Sequence, residues 1–184
     1  MVLFRKSPRV APGRAEAAYA TILAASRRPG FYRDHGVPDT LDGRFDVLCL
    51  HAFLALRRLK AVGGDEAAAL GQAIFDVMFL DLDGALREIG VSDIRIGKEV
   101  KKMAKAFLGR VAAYDAALGD SAALAEAVSR NVFRGAAEKP VAVAALAEYM
   151  VCAERALARR SDAEIVSGAF AFPDIEVQEV APTR

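Results

Sequence analysis

The stretch VMFLDLDGAL, residues 77–86, decides the fold. Read as an apolar strand ending in Asp-x-Asp-Gly, it would carry Asp81 and Asp83 to the edge of a parallel sheet. Read at helical period, the same letters extend an apolar face of Ile74, Met78, Leu82, Ala85 and Ile89, with Phe75, Phe79 and Leu86 beside it. Asp83 and Arg87 then form an exposed pair one turn apart, worth roughly a few tenths of a kcal/mol.

The surroundings decide for the helix. The strand reading resembles the haloacid-dehalogenase phosphatase signature, which implies Asp81 as nucleophile, Asp83 as general acid/base and Mg²⁺ nearby; that chemistry needs a later Ser or Thr, a Lys or Arg, and an acidic pair converging on phosphate and metal. The downstream acids Asp93, Asp115, Asp120, Asp162 and Asp174 are scattered, and Leu124 stands where the second acid of the pair should be. No strand–helix alternation surrounds the motif. Counted from Asp81 as a calcium loop, the required Gly and Glu are replaced by Leu86 and Ser92.

Working outward, the spacing predicts helices over about 14–28, 44–62, 65–89, 97–118, 121–133 and 141–160. The helix 44–62 carries Phe45, Leu48, Cys49, Ala52, Phe53, Leu56 and Leu59 at three- and four-residue steps, widened by Val47, Leu50 and Leu54, and should be central. Asp42 is its expected N-cap and Gly63-Gly64 its stop; Ser121 is the expected cap of the fifth helix. Pro29-Gly30 should stop the first helix. FYRDHGVPDTLDG (31–43) reads as a loop anchored by Phe31 and Tyr32, VSDIRI (91–96) as a short extended connector, and GAFAFPDIEVQEVAPTR (168–184) as an extended end with Phe170 and Phe172 packed on the body. The fold class is therefore all-α: one compact domain of about six helices with an extended C-terminal tail. We divide the chain into a basic lead (1–13), a helical domain (14–173) and a tail (174–184).

Composition narrows the function. Among 184 residues, Lys+Arg is 25 and Asp+Glu is 24, a net charge of +1, so no global field draws DNA. Hydrophobic residues make up 54%, a globular content that about 70% burial of the extended surface can use. No apolar run is long enough to span a bilayer. Arg5, Lys6, Arg9 and Arg14 ahead of AAYATILAAS (17–26) mimic a signal or transit peptide, but the spacing reads as an ordinary amphipathic first helix.

Chemistry-bearing residues are few. Cys49 and Cys152 are read as two buried, reduced thiols. His35 sits among Asp34, Asp39, Asp42 and Asp46, where a metal is conceivable, yet short Asp side chains more often cap turns. His51 is read as a hydrogen-bonded core histidine. There is no GxSxG, GxGxxG or P-loop. Lys98, Lys101, Lys102 and Lys105 line one flank of the fourth helix and could meet an acidic partner, phospholipid headgroups or ribosomal RNA.

Residues 31–51 (FYRDHGVPDTLDGRFDVLCLH) and 81–118 resemble the ubiquinol–cytochrome c chaperone family, assembly factors of the respiratory bc1 complex. The matching positions include Phe31-Tyr32, Gly36-Val37-Pro38-Asp39-Thr40, Asp42-Gly43-Arg44-Phe45-Asp46, His51, Arg87-Glu88, Lys98, Lys101, Phe107, Gly109-Arg110 and Tyr114. The resemblance implies a non-enzymatic, all-helical chaperone without catalytic residues or cofactor, whose client is newly made cytochrome b or another bc1 subunit. A peripheral contact with membrane or ribosome is expected, and no DNA. The implied location is the cytoplasm, or the periphery of the inner membrane of an α-proteobacterium, with eukaryotic relatives mitochondrial. The expected partner contacts are Asp39, Asp42, Arg44, Asp46, Arg87, the lysines 98, 101, 102 and 105, and Arg110. The remaining alternative is a helical module binding a lipid or quinone.

Overall fold

Residues 77–86 are helical from end to end. In the computed structural model, which describes residues 10–135 and 140–175, they lie inside one helix, α4 (Gly64–Glu88). Its buried stripe is Ala67, Leu70, Ile74, Met78, Leu82 and Leu86, and Asp81 and Asp83 fall outside it. Asp81 accepts a 2.7 Å hydrogen bond from the Tyr19 hydroxyl, and Asp83 accepts from Arg87 Nε at 2.6 Å. Ile89, expected on the apolar face, is 62% exposed, because the helix ends at Glu88 and turns through Gly90.

The other long helices are α1 (Arg14–Ser26), α3 (Leu41–Val62), α5 (Asp93–Ala117), α6 (Ser121–Val132) and α7 (Pro140–Ala158). Helix α3 is the axis: it packs on α1, α4, α5, α6 and α7, and from Phe45 through Ala55 every residue is buried. That is the broad stripe read from its sequence, and a helix apolar over most of its circumference belongs inside a bundle. Among the described residues there is no strand.

Two short helices add to the six expected. Pro29 does not merely stop α1. It opens α2 (Pro29–Arg33), where its missing N–H is no loss. Helix α8 (Asp162–Ser167) opens on a full capping box, Ser161 with Glu164. Three local expectations are corrected. The cap of α3 is Thr40, whose hydroxyl accepts from the Gly43 N–H at 3.1 Å, not Asp42. The cap of α6 is Asp120, which accepts from Ala122 and Ala123, not Ser121. The connector 91–96 is not extended, because α5 already begins at Asp93.

The chain after α8 returns over the bundle. Phe170 and Phe172 are buried, and Arg28 donates to the carbonyls of Phe172, at 3.1 Å, and Pro173. Residues 1–9 of the basic lead and 176–184 of the tail lie outside the described residues.

Candidate functional site

The loop into α3 brings several predicted contacts together. Gly43 is buried against it so closely that a Cβ there would lie 1.9 Å from the Pro38 carbonyl oxygen. The next residue, Arg44, donates from Nε to Asp39 at 2.6 Å, and its guanidinium lies over the Tyr32 ring, 5.8 Å from the centroid. That hydrogen bond holds the Asp39 carboxyl below the usual carboxylate range.

Asp46 faces inward and is fully buried. Arg110 of α5 donates to its Oδ1 from Nε at 2.9 Å and from Nη2 at 2.5 Å, with the same guanidinium over the Phe45 ring. Arg134, just past α6, brings Nη2 within 2.9 Å of Oδ2, close enough for charge pairing but not aligned as a hydrogen bond. Asp42 lies 3.8 Å from the same Arg134. Burial pushes the Asp46 carboxyl up, and the two arginines pull it only part of the way back. Arg134 adopts φ 56°, a left-handed conformation costly for a side chain, and is held there in part by its own bond to the Asn131 carbonyl. Sequence reasoning missed Arg134. The Arg134-Gly135 pair ending a helix was the available signal, but nothing local tells that it reaches back to α3.

Behind the loop lies a ring cluster. His51 Nδ1 is 2.8 Å from the Val47 carbonyl, which only accepts, so Nδ1 carries the proton. Nε2 therefore accepts, from the Tyr149 hydroxyl at 2.7 Å. Phe31 and Phe172 set their edges against this pair. Fully enclosed, His51 is pushed down to about 4 by desolvation and stays neutral. Cys49 is buried, with its thiol pushed up by burial; Cys152, expected to be buried as well, is exposed on α7.

The remaining predicted contacts separate. Arg87 is committed to Asp83 and Asp93, in the turn between α4 and α5. Lys98, Lys101, Lys102 and Lys105 are all exposed on α5. Among the described residues Lys102 has only Glu99, at 4.0 Å, and the other three have no partner.

Apolar grooves open on the surface between the described helices. One, about 390 Å³, lies between α3, α4 and α5. Phe53, Leu56, Phe75, Phe107, Leu108 and Val111 line it, with Arg57, Lys60 and Asp115 among its polar groups. Phe75 packs at a tilt against Phe79 and Phe107, so its aromatic wall spans two helices. Another, about 540 Å³, lies between α6 and α7 over Leu124, Ala147 and Val151, with Arg155 and Arg159 in its lining. Among the described residues no three His, Cys, Asp or Glu side chains gather as a metal site would require, and no helix is long and apolar enough to cross a membrane.

This architecture is a helical body with open apolar grooves and an internally paired charge network. The chain belongs to the ubiquinol–cytochrome c chaperone family, whose model matches residues 33–172. It is 29% identical over 160 residues to the mitochondrial protein CBP3 of Saccharomyces cerevisiae, covering 84% of this chain and 48% of that one. It is 26% identical over 121 residues to the ubiquinol–cytochrome-c reductase complex assembly factor 1 of Xenopus laevis, covering 65% and 60%. The chain thus spans about half to three-fifths of the length of these curated relatives. The crystal structure of the Cbp3 homolog from Brucella abortus superposes with a TM-score of 0.80 at 39% identity, over 89% of this chain and 90% of that one.

Proposed function

We propose that this chain is a non-enzymatic chaperone for assembly of ubiquinol–cytochrome c reductase, and that its client is newly made cytochrome b. Membership of the chaperone family carries the reading. The α3–α4–α5 groove supports it physically. A membrane subunit awaiting assembly exposes apolar helices, and an aromatic trough with polar groups among its lining accepts such a segment. The helical state of residues 77–86 removes the phosphatase reading, which required a strand there.

Gly71 gives a clean test. It lines the groove, and a Cβ added to it would meet only Leu56, at an ordinary 3.6 Å. Gly71→Leu fills the trough while raising helix propensity. In a pull-down from cells making the bc1 complex, the chain should retain cytochrome b, and Gly71→Leu should lose most of it with helicity unchanged. Equal recovery of cytochrome b by both would exclude this groove. Absence of cytochrome b from both would exclude the client.

The α6–α7 groove favours a second reading, a bound lipid or quinone with its polar head toward Arg155 and Arg159. Extraction of the purified protein with organic solvent and mass spectrometry of the extract distinguishes the two.

A further inference from the structure

Helix α5 turns its buried face, Ile96, Phe107, Tyr114 and Ala117, into the bundle. Its opposite face repeats with unusual regularity. Ile94, Lys98, Lys101, Lys105 and Leu108 follow one another at steps of four, three, four and three, which aligns them along one side of a helix. Lys102 and Arg95 flank the row. Between Ile94 and Ala112 the nearest acid is Glu99, turned toward the side of the helix and spent on Lys102.

The two ends of the row are apolar and exposed. Ile94 is 95% exposed and Leu108 58%, and Ile89, in the turn before α5, is 62% exposed. Bare β-branched side chains at a helix–helix turn find no partner in water. A row of phosphates alone would account for the lysines but not for them. Nucleic acid takes an isoleucine only as a wedge between bases unstacked at a cost of about a few kcal/mol. A lipid–water interface takes both: lysine stems lie along the surface with their ammonium groups at the headgroups, while the isoleucine enters the acyl boundary.

We propose that the Ile94–Leu108 face of α5 docks on an anionic phospholipid surface, with Lys98, Lys101 and Lys105 on the headgroups and Ile94 inserted at the interface. This does not rest on the identity of the client, since lipid vesicles alone test it. Leu108 belongs both to this face and to the α3–α4–α5 groove, so docking would hold the groove's mouth beside the bilayer.

The chain contains no tryptophan, so Ile94→Trp in the full chain gives a single emission signal from the inserted position. The probes are vesicles of phosphatidylcholine alone and of phosphatidylcholine with about one-third phosphatidylglycerol, a content chosen to give a strongly negative surface. The expected result is co-sedimentation with the anionic vesicles only, weakening as salt rises, together with a blue shift of the tryptophan emission. Combining Lys98→Gln, Lys101→Gln and Lys105→Gln should weaken binding about a hundredfold with unchanged circular dichroism. The proposal is overturned by no binding to anionic vesicles, by binding without a blue shift, or by binding that the lysine changes leave intact. Binding to single-stranded polyuridylate in place of vesicles would overturn it in favour of RNA. A chain that fails these tests can still retain cytochrome b, so the two readings fail separately.

Discussion

Arg110 of α5 grips Asp46 of α3 through two hydrogen bonds to a single carboxylate oxygen, in a place where Asp46 has no exposed surface. Both residues belong to the stretches that mark the family, and both look inward. Their work is to fix α5 against α3, and so to set two of the three walls of the apolar groove.

Because burial raises the Asp46 carboxyl despite two arginines, its ionised form costs folding energy and is tolerated only while paired. Arg110→Leu alone should therefore cost about 3 kcal/mol, since it leaves the buried charge to Arg134 alone. The double replacement Asp46→Leu with Arg110→Leu should recover a good part of that loss. Urea denaturation of the two single variants and the double variant, read as a thermodynamic cycle, checks this; additive losses would contradict it.

Gly43 should tolerate no side chain. Gly43→Ala drives a methyl into the Pro38 carbonyl and should cost at least about 2 kcal/mol by thermal melting. Gly71→Ala, in open helix, should be neutral or stabilise by up to about 1 kcal/mol.

His51 predicts an acid sensitivity. Folded, it ionises near 4; unfolded, near its ordinary 6.5. The unfolded chain thus takes up the proton first, so this contribution is complete above pH 6.5 and is lost as pH falls toward 4. Across that window the loss is about 3 kcal/mol. His51→Gln should flatten the stability profile between pH 7 and pH 4, measured by urea midpoints. An unchanged slope would mean that other groups cause it.

Asp81 should prove structural. Tyr19→Phe or Asp81→Asn should each cost about 1 kcal/mol, through the one hydrogen bond between them. The unaltered chain should release no more phosphate from an aryl phosphate with Mg²⁺ than buffer does. Activity that vanishes with Asp81→Asn would contradict this.

Periodicity made most of the bundle legible, because a long helix repeats its apolar residues over many turns, as α3 and α4 do. Ends were harder. Residues 91–96 alternate because Ile94 is exposed and Ile96 buried within the first turn of α5, and two such residues imitate a strand. Asp42 and Ser121 are good caps by residue type, but Thr40 and Asp120 stand at the positions whose backbone is extended. Helix α8 was signalled by Ser161 and Glu164, yet six residues are too few to show a period.

For the site, sequence marked Asp46 and Arg110 without telling that they meet, since 64 residues separate them. It could not show the groove at all. Phe53, Phe75 and Phe107 each read as core residues of their own helices, and only packing leaves a trough between them.

Gln72, exposed on α4 at the edge of the groove, offers the most direct test of the account. A photoreactive amino acid placed there, in cells assembling the bc1 complex, should cross-link to newly made cytochrome b. The same group at Glu126, exposed on α6, should give little or none. Cross-linking at Glu126 with none at Gln72 would contradict the account, as would a Gln72 adduct that never contains cytochrome b.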